Sequence, residues 1–86
     1  MDLLAVYDSG NYTIKMCRHF ERKGYAFEVI SLPCKIAHTG CSYCLKFPEE
    51  YKDMVISESK AMNYPVRHLY RVIKGHLKNT YEKIPL

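Results

Sequence analysis

Leu32-Pro33-Cys34-Lys35-Ile36-Ala37-His38-Thr39-Gly40-Cys41-Ser42-Tyr43-Cys44-Leu45-Lys46-Phe47 is the stretch whose reading decides the fold. Residues 41–47 alternate strictly, with Tyr43, Leu45 and Phe47 on one side and Ser42, Cys44 and Lys46 on the other, the period of a strand. Upstream, residues 25–32 are aromatic and β-branched, with Phe27 and Val29 set against Glu28, and read as a second strand. Pro33 ends it, because proline has no N–H to give a ladder. Residues 34–39 then form a loop, and Gly40 supplies the freedom to turn back.

Working outward, residues 3–7 are a short apolar run bounded by charge, suited to a strand buried on both faces. Asp8-Ser9-Gly10-Asn11 is a turn in which Asp8 or Ser9 can cap a starting helix. That helix is expected over residues 12–23, with Thr13, Met16, Cys17 and Phe20 on one stripe and Lys15, Arg18, Glu21 and Arg22 off it. Gly24 stops it. Cys17 reads as a small buried hydrophobe and His19 as an exposed residue. Downstream, Pro48 opens a second helix with Glu49 and Glu50 near the positive end of its dipole. The stripe of this helix is Tyr51, Met54, Val55 and Met62, with Glu58 as the misfit. Asn63-Tyr64-Pro65 breaks it, residues 66–73 form a fourth strand, and Leu77, Tyr81 and Ile84 are spaced for a short final helix.

The order strand, helix, strand, strand, helix, strand predicts an α+β fold. It would be a ferredoxin-like βαββαβ sandwich, an antiparallel four-stranded sheet with two helices on one face. A chain of 86 residues is expected to form a single domain, with residues 1–73 as its core and 74–86 as a C-terminal extension. It should bury roughly 60 to 65% of its unfolded surface without disulfides or metal. The N-terminus lacks a basic start and meets Asp8 after a short apolar run. It fits neither a signal peptide nor a membrane span, and a cytoplasmic protein is expected.

The net charge of +4 is uneven along the chain. Residues 49–60 balance to −2, whereas Arg67, Arg71, Lys74, Lys78 and Lys83 face only Glu82. Such a basic end either meets an acidic partner or nucleic acid, or is a solvated edge. For RNA recognition the third strand should carry K/R-G-F/Y-G/A-F-V-x-F/Y. With Gly40 aligned to that glycine, Cys41 and Lys46 occupy aromatic positions and Tyr43 alone fits, so nucleic-acid binding is not expected.

The chemistry is concentrated in Cys34, Cys41 and Cys44. In a reducing compartment these are thiols, redox groups or metal ligands rather than a disulfide framework. A thiol reacts as its thiolate, and Lys35, His38 and Lys46, all close to Cys41 in sequence, are candidates for stabilising that form. Cys41-Ser42-Tyr43-Cys44 has C-x-x-C spacing, but it runs into a strand rather than opening a helix, so its sulfurs would point apart. Cys34, His38, Cys41 and Cys44 are chemically fit for zinc, though C-x3-H-x2-C-x2-C matches no common zinc signature. An iron–sulfur cluster lacks a fourth nearby cysteine. No cofactor is expected.

Several short motifs, in order, resemble a family of small bacterial domains, the selenium/sulfur carrier protein-like family. They are Val6-Tyr7-Asp8-Ser9, Gly24, Ile30-Ser31-Leu32-Pro33, Cys41-Ser42-Tyr43-Cys44-Leu45-Lys46 and Leu69-Tyr70-Arg71-Val72. The resemblance covers nearly the whole chain up to Ile73 and sets Cys41 in the place of the family's characteristic cysteine. Ser42 replaces the glycine that follows it there, Cys44 a small apolar residue, and Cys34 a basic one. The resemblance implies a carrier rather than an enzyme. Cys41 would hold a persulfide or selenopersulfide from a cysteine desulfurase-like donor and deliver it to an acceptor enzyme, with Cys44 or Cys34 as resolving thiols. The alternative is an interaction or regulatory module, with a Cys/His zinc site or a homodimer formed through the sheet face.

Overall fold

A computed structural model describes residues 1–33, 36 and 43–86. Among the described residues eight elements follow in order. They are β1 (Asp2–Val6), α1 (Gly10–Arg22), β2 (Glu28–Ser31), β3 (Tyr43–Pro48), a 3-10 turn (Glu49–Tyr51), α2 (Lys52–Ala61), β4 (His68–Ile73) and β5 (Thr80–Ile84). The strands form one antiparallel sheet in the order β2-β3-β1-β4-β5.

The expected four-stranded layout is therefore corrected to five strands, and the final helix to a strand. The spacing of Leu77, Tyr81 and Ile84 suggested a helix, but Leu77 is 94% exposed and has no apolar face to join. Tyr81 and Ile84 instead pack on opposite sides of the sheet, as an odd separation along a strand requires. Without β5, β4 would present an open row of N–H and C=O groups, and pairing them is what decides the segment.

β1 is buried from Leu3 to Val6 because the sheet is covered there on both faces. Leu3, Ala5 and Tyr7 face the helices and join Met16, Phe20, Leu45, Phe47, Val55 and Leu69 in the larger core. Leu4 and Val6 face the other way and join Cys44, Tyr70, Leu32 and Ile36. Ile36 belongs to a turn in which its N–H donates to the Pro33 carbonyl (3.0 Å).

α1 starts two residues earlier than expected. The Ser9 hydroxyl caps it by accepting from the Tyr12 N–H at 3.3 Å. Its stripe is the one anticipated: Thr13, Met16, Cys17 and Phe20 are all buried. Gly24, at φ 95°, turns the chain out of the helix in the left-handed region. In α2 the misfit has a physical reason. Glu58 is turned toward α1, where it accepts from Lys23 Nζ (2.7 and 2.8 Å) and pairs with His19 Nε2 (2.7 Å). His19, expected exposed, is therefore a bridge between the helices. Among the described residues no helix is long and apolar enough to cross a membrane.

Candidate functional site

Of the residues singled out in the sequence, Cys34, Lys35, His38 and Cys41 lie outside the described residues; Cys44 and Lys46 lie within them, both on β3. That strand is held on both sides. Ile30 of β2 is opposite Cys44, and Leu4 of β1 is opposite Lys46. Tyr43, at its start, is 43% exposed, and its ring lies over the first turn of α1. A Cβ placed on Gly10 would stand 2.8 Å from Tyr43 Cδ2, so the absence of a side chain at residue 10 lets the ring approach.

The alternation of β3 sends Cys44 and Lys46 to the face away from the helices, as expected. Cys44 is fully buried there among Leu4, Val6, Leu32, Ile36 and Tyr70. Its thiol is shielded from solution reagents. Lys46 is half-buried, with Nζ 3.7 Å from Asp2 Oδ2. It borders a small cavity of about 80 Å³, lined also by Leu4, Ile30, Pro33, Val72, Asn79 and Tyr81. The charge of Lys46 is therefore partly engaged by a carboxylate.

Cys17 is inert for a different reason. It is packed on the inner stripe of α1, and its S–H is directed to the Phe27 carbonyl (3.4 Å) and to Glu21 (3.6 Å). Burial, the hydrogen bond to Glu21 and the charge of that carboxylate together push its pKa up to about 11, so almost no thiolate is present at neutral pH. Among the described residues no group of three or more His, Cys, Asp or Glu is placed to hold a metal ion.

The basic C-terminal segment changes character in three dimensions. Arg67 makes a two-pronged contact with Asp8 (2.9 and 3.0 Å), and Arg71 is held between Glu49 and Glu82. Hydrogen bonding to Arg71 in turn holds the Glu49 carboxyl below its ordinary range. The cations that keep no carboxylate partner among the described residues include Lys15, Arg18 and Arg22, on the outer side of α1. In the sequence they fall off the apolar stripe of the helix, with no role assigned. The signal that would have picked them out is the i, i+3, i+7 spacing, which aligns them along one helix face.

A family model described as "Putative Se/S carrier protein-like" matches residues 2–71. No curated protein and no solved structure matches the chain significantly. The matched span begins with β1 and ends inside β4, so it takes in both helices and the stretch from β2 to β3; β5 lies beyond it. With most of its length inside the match, the chain belongs to the Se/S carrier protein-like family.

Proposed function

We propose that the protein is a carrier of sulfur or selenium and that Cys41 is the thiol that bears the cargo. The observation that carries this reading is family membership over residues 2–71, a span that includes Cys41. The shielding of the two described cysteines adds to it. Cys17 and Cys44 are both buried, which leaves Cys34 and Cys41 as the candidates for exchange with a partner. Cys41 precedes by two positions the start of a strand paired on both sides, a rigid base for a group that must be presented.

In the proposed cycle the Cys41 thiolate attacks the outer sulfur of a donor persulfide, as on a cysteine desulfurase. The donor's S–S bond breaks, the donor leaves as a thiolate, and a new S–S bond holds the sulfur on Cys41. Delivery is the same step with the roles exchanged: a nucleophile of the acceptor enzyme takes the outer sulfur and Cys41 leaves as thiolate. Selenium would follow the same path. In release through a resolving thiol, its thiolate would attack the Cys41 sulfur, break the persulfide S–S bond and expel the outer sulfur as hydrosulfide, leaving a disulfide on Cys41 that a cellular thiol reduces afterwards. Cys34 and Cys44 are the resolving candidates, and Cys44 would have to leave its packed cluster to act. Lys35, His38 and Lys46 would favour the thiolate. A cytoplasmic location, where thiols stay reduced, suits this chemistry.

The Cys41→Ser variant tests the reading. It should fold as the parent does and accept no sulfur from a desulfurase supplied with cysteine. Unchanged loading of that variant would overturn the proposal.

A further inference from the structure

Along the outer side of α1 runs a groove of about 320 Å³, lined by Lys15, Arg18, His19 and Arg22 of the helix and by Met62 and Tyr64 from the connection between α2 and β4. Lys15, Arg18 and Arg22 are exposed and unpaired with any carboxylate among the described residues. Spaced i, i+3 and i+7, they lie in line over about 10 Å of helix. Two acids of the neighbourhood have other partners. Glu58 is held by His19 and Lys23, and Glu21 accepts from the Cys17 thiol on the inner side of the helix. The opposite wall is apolar and aromatic. Met62 is 43% exposed, and Tyr64 packs against Tyr12 with the rings tilted by 33° and their centroids 4.6 Å apart. Lys15 Nζ stands 5.7 Å from the Tyr64 ring centroid, within cation–π range.

We propose that this groove docks an acidic, partly apolar segment of a partner protein. Three cations opposite a methionine and a tyrosine suit a peptide that carries carboxylates on one side and an apolar residue on the other. A nucleic acid fits less well. The row of cations spans only two helical turns, and Lys23, Lys46, Arg67 and Arg71, which could have extended it into a phosphate track, are paired with carboxylates. A membrane surface fits less well still, because the apolar stripe of α1 is buried in the core and leaves nothing to insert. The identity of the partner as the sulfur donor or acceptor rests on the carrier reading; the docking surface itself does not.

The test is fluorescence anisotropy with a fluorescein-labelled short peptide of alternating glutamate and leucine, at physiological ionic strength. Matched titrations use a single-stranded oligonucleotide of equal charge and phosphatidylserine vesicles. The peptide should bind best. The Arg18→Glu/Arg22→Glu variant should weaken it by at least about tenfold. Lys74→Glu/Lys78→Glu, which changes net charge equally but away from the groove, should cost less than about twofold. Arg18→Gln/Arg22→Gln serves if the reversal disturbs folding, which thermal denaturation reports. Absence of peptide binding, equal losses in the groove and control variants, or tighter binding of the oligonucleotide or the vesicles would each overturn the proposal. Sulfur loading from a small-molecule persulfide should be indifferent to the groove variants, and peptide binding indifferent to Cys41→Ser. Failure of docking is thereby distinguished from failure of the carrier reading.

Discussion

The hydroxyls of Tyr7 and Ser59 meet at 2.7 Å, with neither side chain more than 1% exposed. Tyr7 directly follows β1 and Ser59 lies in the last turn of α2, so the contact ties the second helix to the centre of the sheet alongside the packing of Val55. Each hydroxyl is the other's answer to the cost of burying a polar group.

Removing the second partner is therefore expected to cost less once the first is gone. Ser59→Ala strands the Tyr7 hydroxyl and should destabilise by about 1–3 kcal/mol. In Tyr7→Phe the remaining serine can turn to the helix carbonyl four residues back, and the loss should be about 1 kcal/mol. Urea unfolding of both singles and the double should show the double costing less than the sum of the two. Strict additivity would deny the contact an energetic role.

The same burial makes the fold sensitive to alkali. Desolvation pushes the Tyr7 phenol up to about 12, against a hydrogen bond from Ser59 that pulls it down, and Cys17 stands near 11. Both groups have folded pKa values above their ordinary values of 10.0 and 9.0. Their contribution to stability is whole below those values and lost as pH rises through the folded ones. The parent should weaken on moving from about pH 8 to about pH 11. Tyr7→Phe should be spared about 1 kcal/mol of that loss. Cys17→Ala should flatten the earlier part of the decline. Parallel pH profiles for parent and variants would contradict this.

At the acid end the sign is reversed. Hydrogen bonds from His19 and Lys23 hold the Glu58 carboxyl below its ordinary value of 4.5, and Arg71 does the same for Glu49. Depressed carboxyls contribute stability that is present above 4.5 and lost as pH falls through the folded values. The thermal midpoint of the parent should drop between about pH 6 and about pH 3, and less steeply in Glu58→Gln and Glu49→Gln.

The fifth strand provides a test of the corrected topology. Ile84 lies opposite Leu69 and is 9% exposed, closing the edge of the larger core. Ile84→Ala should cost about 2 kcal/mol, toward the low end for buried isoleucine because the site lies at a sheet edge. Deletion of residues 75–86 should bare the β4 edge and promote self-association, visible by size-exclusion chromatography. A monomeric truncation as stable as the parent would show that β5 does not hold the sheet.

Much of the fold was legible because local pattern and tertiary demand agreed. The run from Leu3 to Tyr7 is apolar at every position because both faces of β1 are covered, and the stripe through Thr13, Met16, Cys17 and Phe20 has the helical period. Glu58 broke the pattern of α2 because its partners, Lys23 and His19, lie 35 and 39 residues away, beyond what a local window sees. The final segment misled for a related reason. Tyr81 and Ile84 satisfy a helical spacing, but the unpaired edge of β4, a feature of the assembled sheet, sets the outcome. At the site, Cys44 and Lys46 were placed correctly on one face of β3 by alternation alone. The burial of Cys44 was not legible, since it depends on Leu32, Ile36 and Tyr70 arriving from other parts of the chain. The cationic groove was hidden likewise: Arg67 and Arg71 dominate the linear charge pattern, and only the fold shows them neutralised by Asp8, Glu49 and Glu82.

The most direct test of the carrier account is intact-protein mass spectrometry after incubation with a cysteine desulfurase and cysteine, followed by peptide mapping under non-reducing conditions. The account predicts one adduct of about 32 Da, a single sulfur, on the peptide that carries Cys41, removed by a thiol reductant. An unmodified chain, or sulfur on other cysteines with Cys41 untouched, would contradict it.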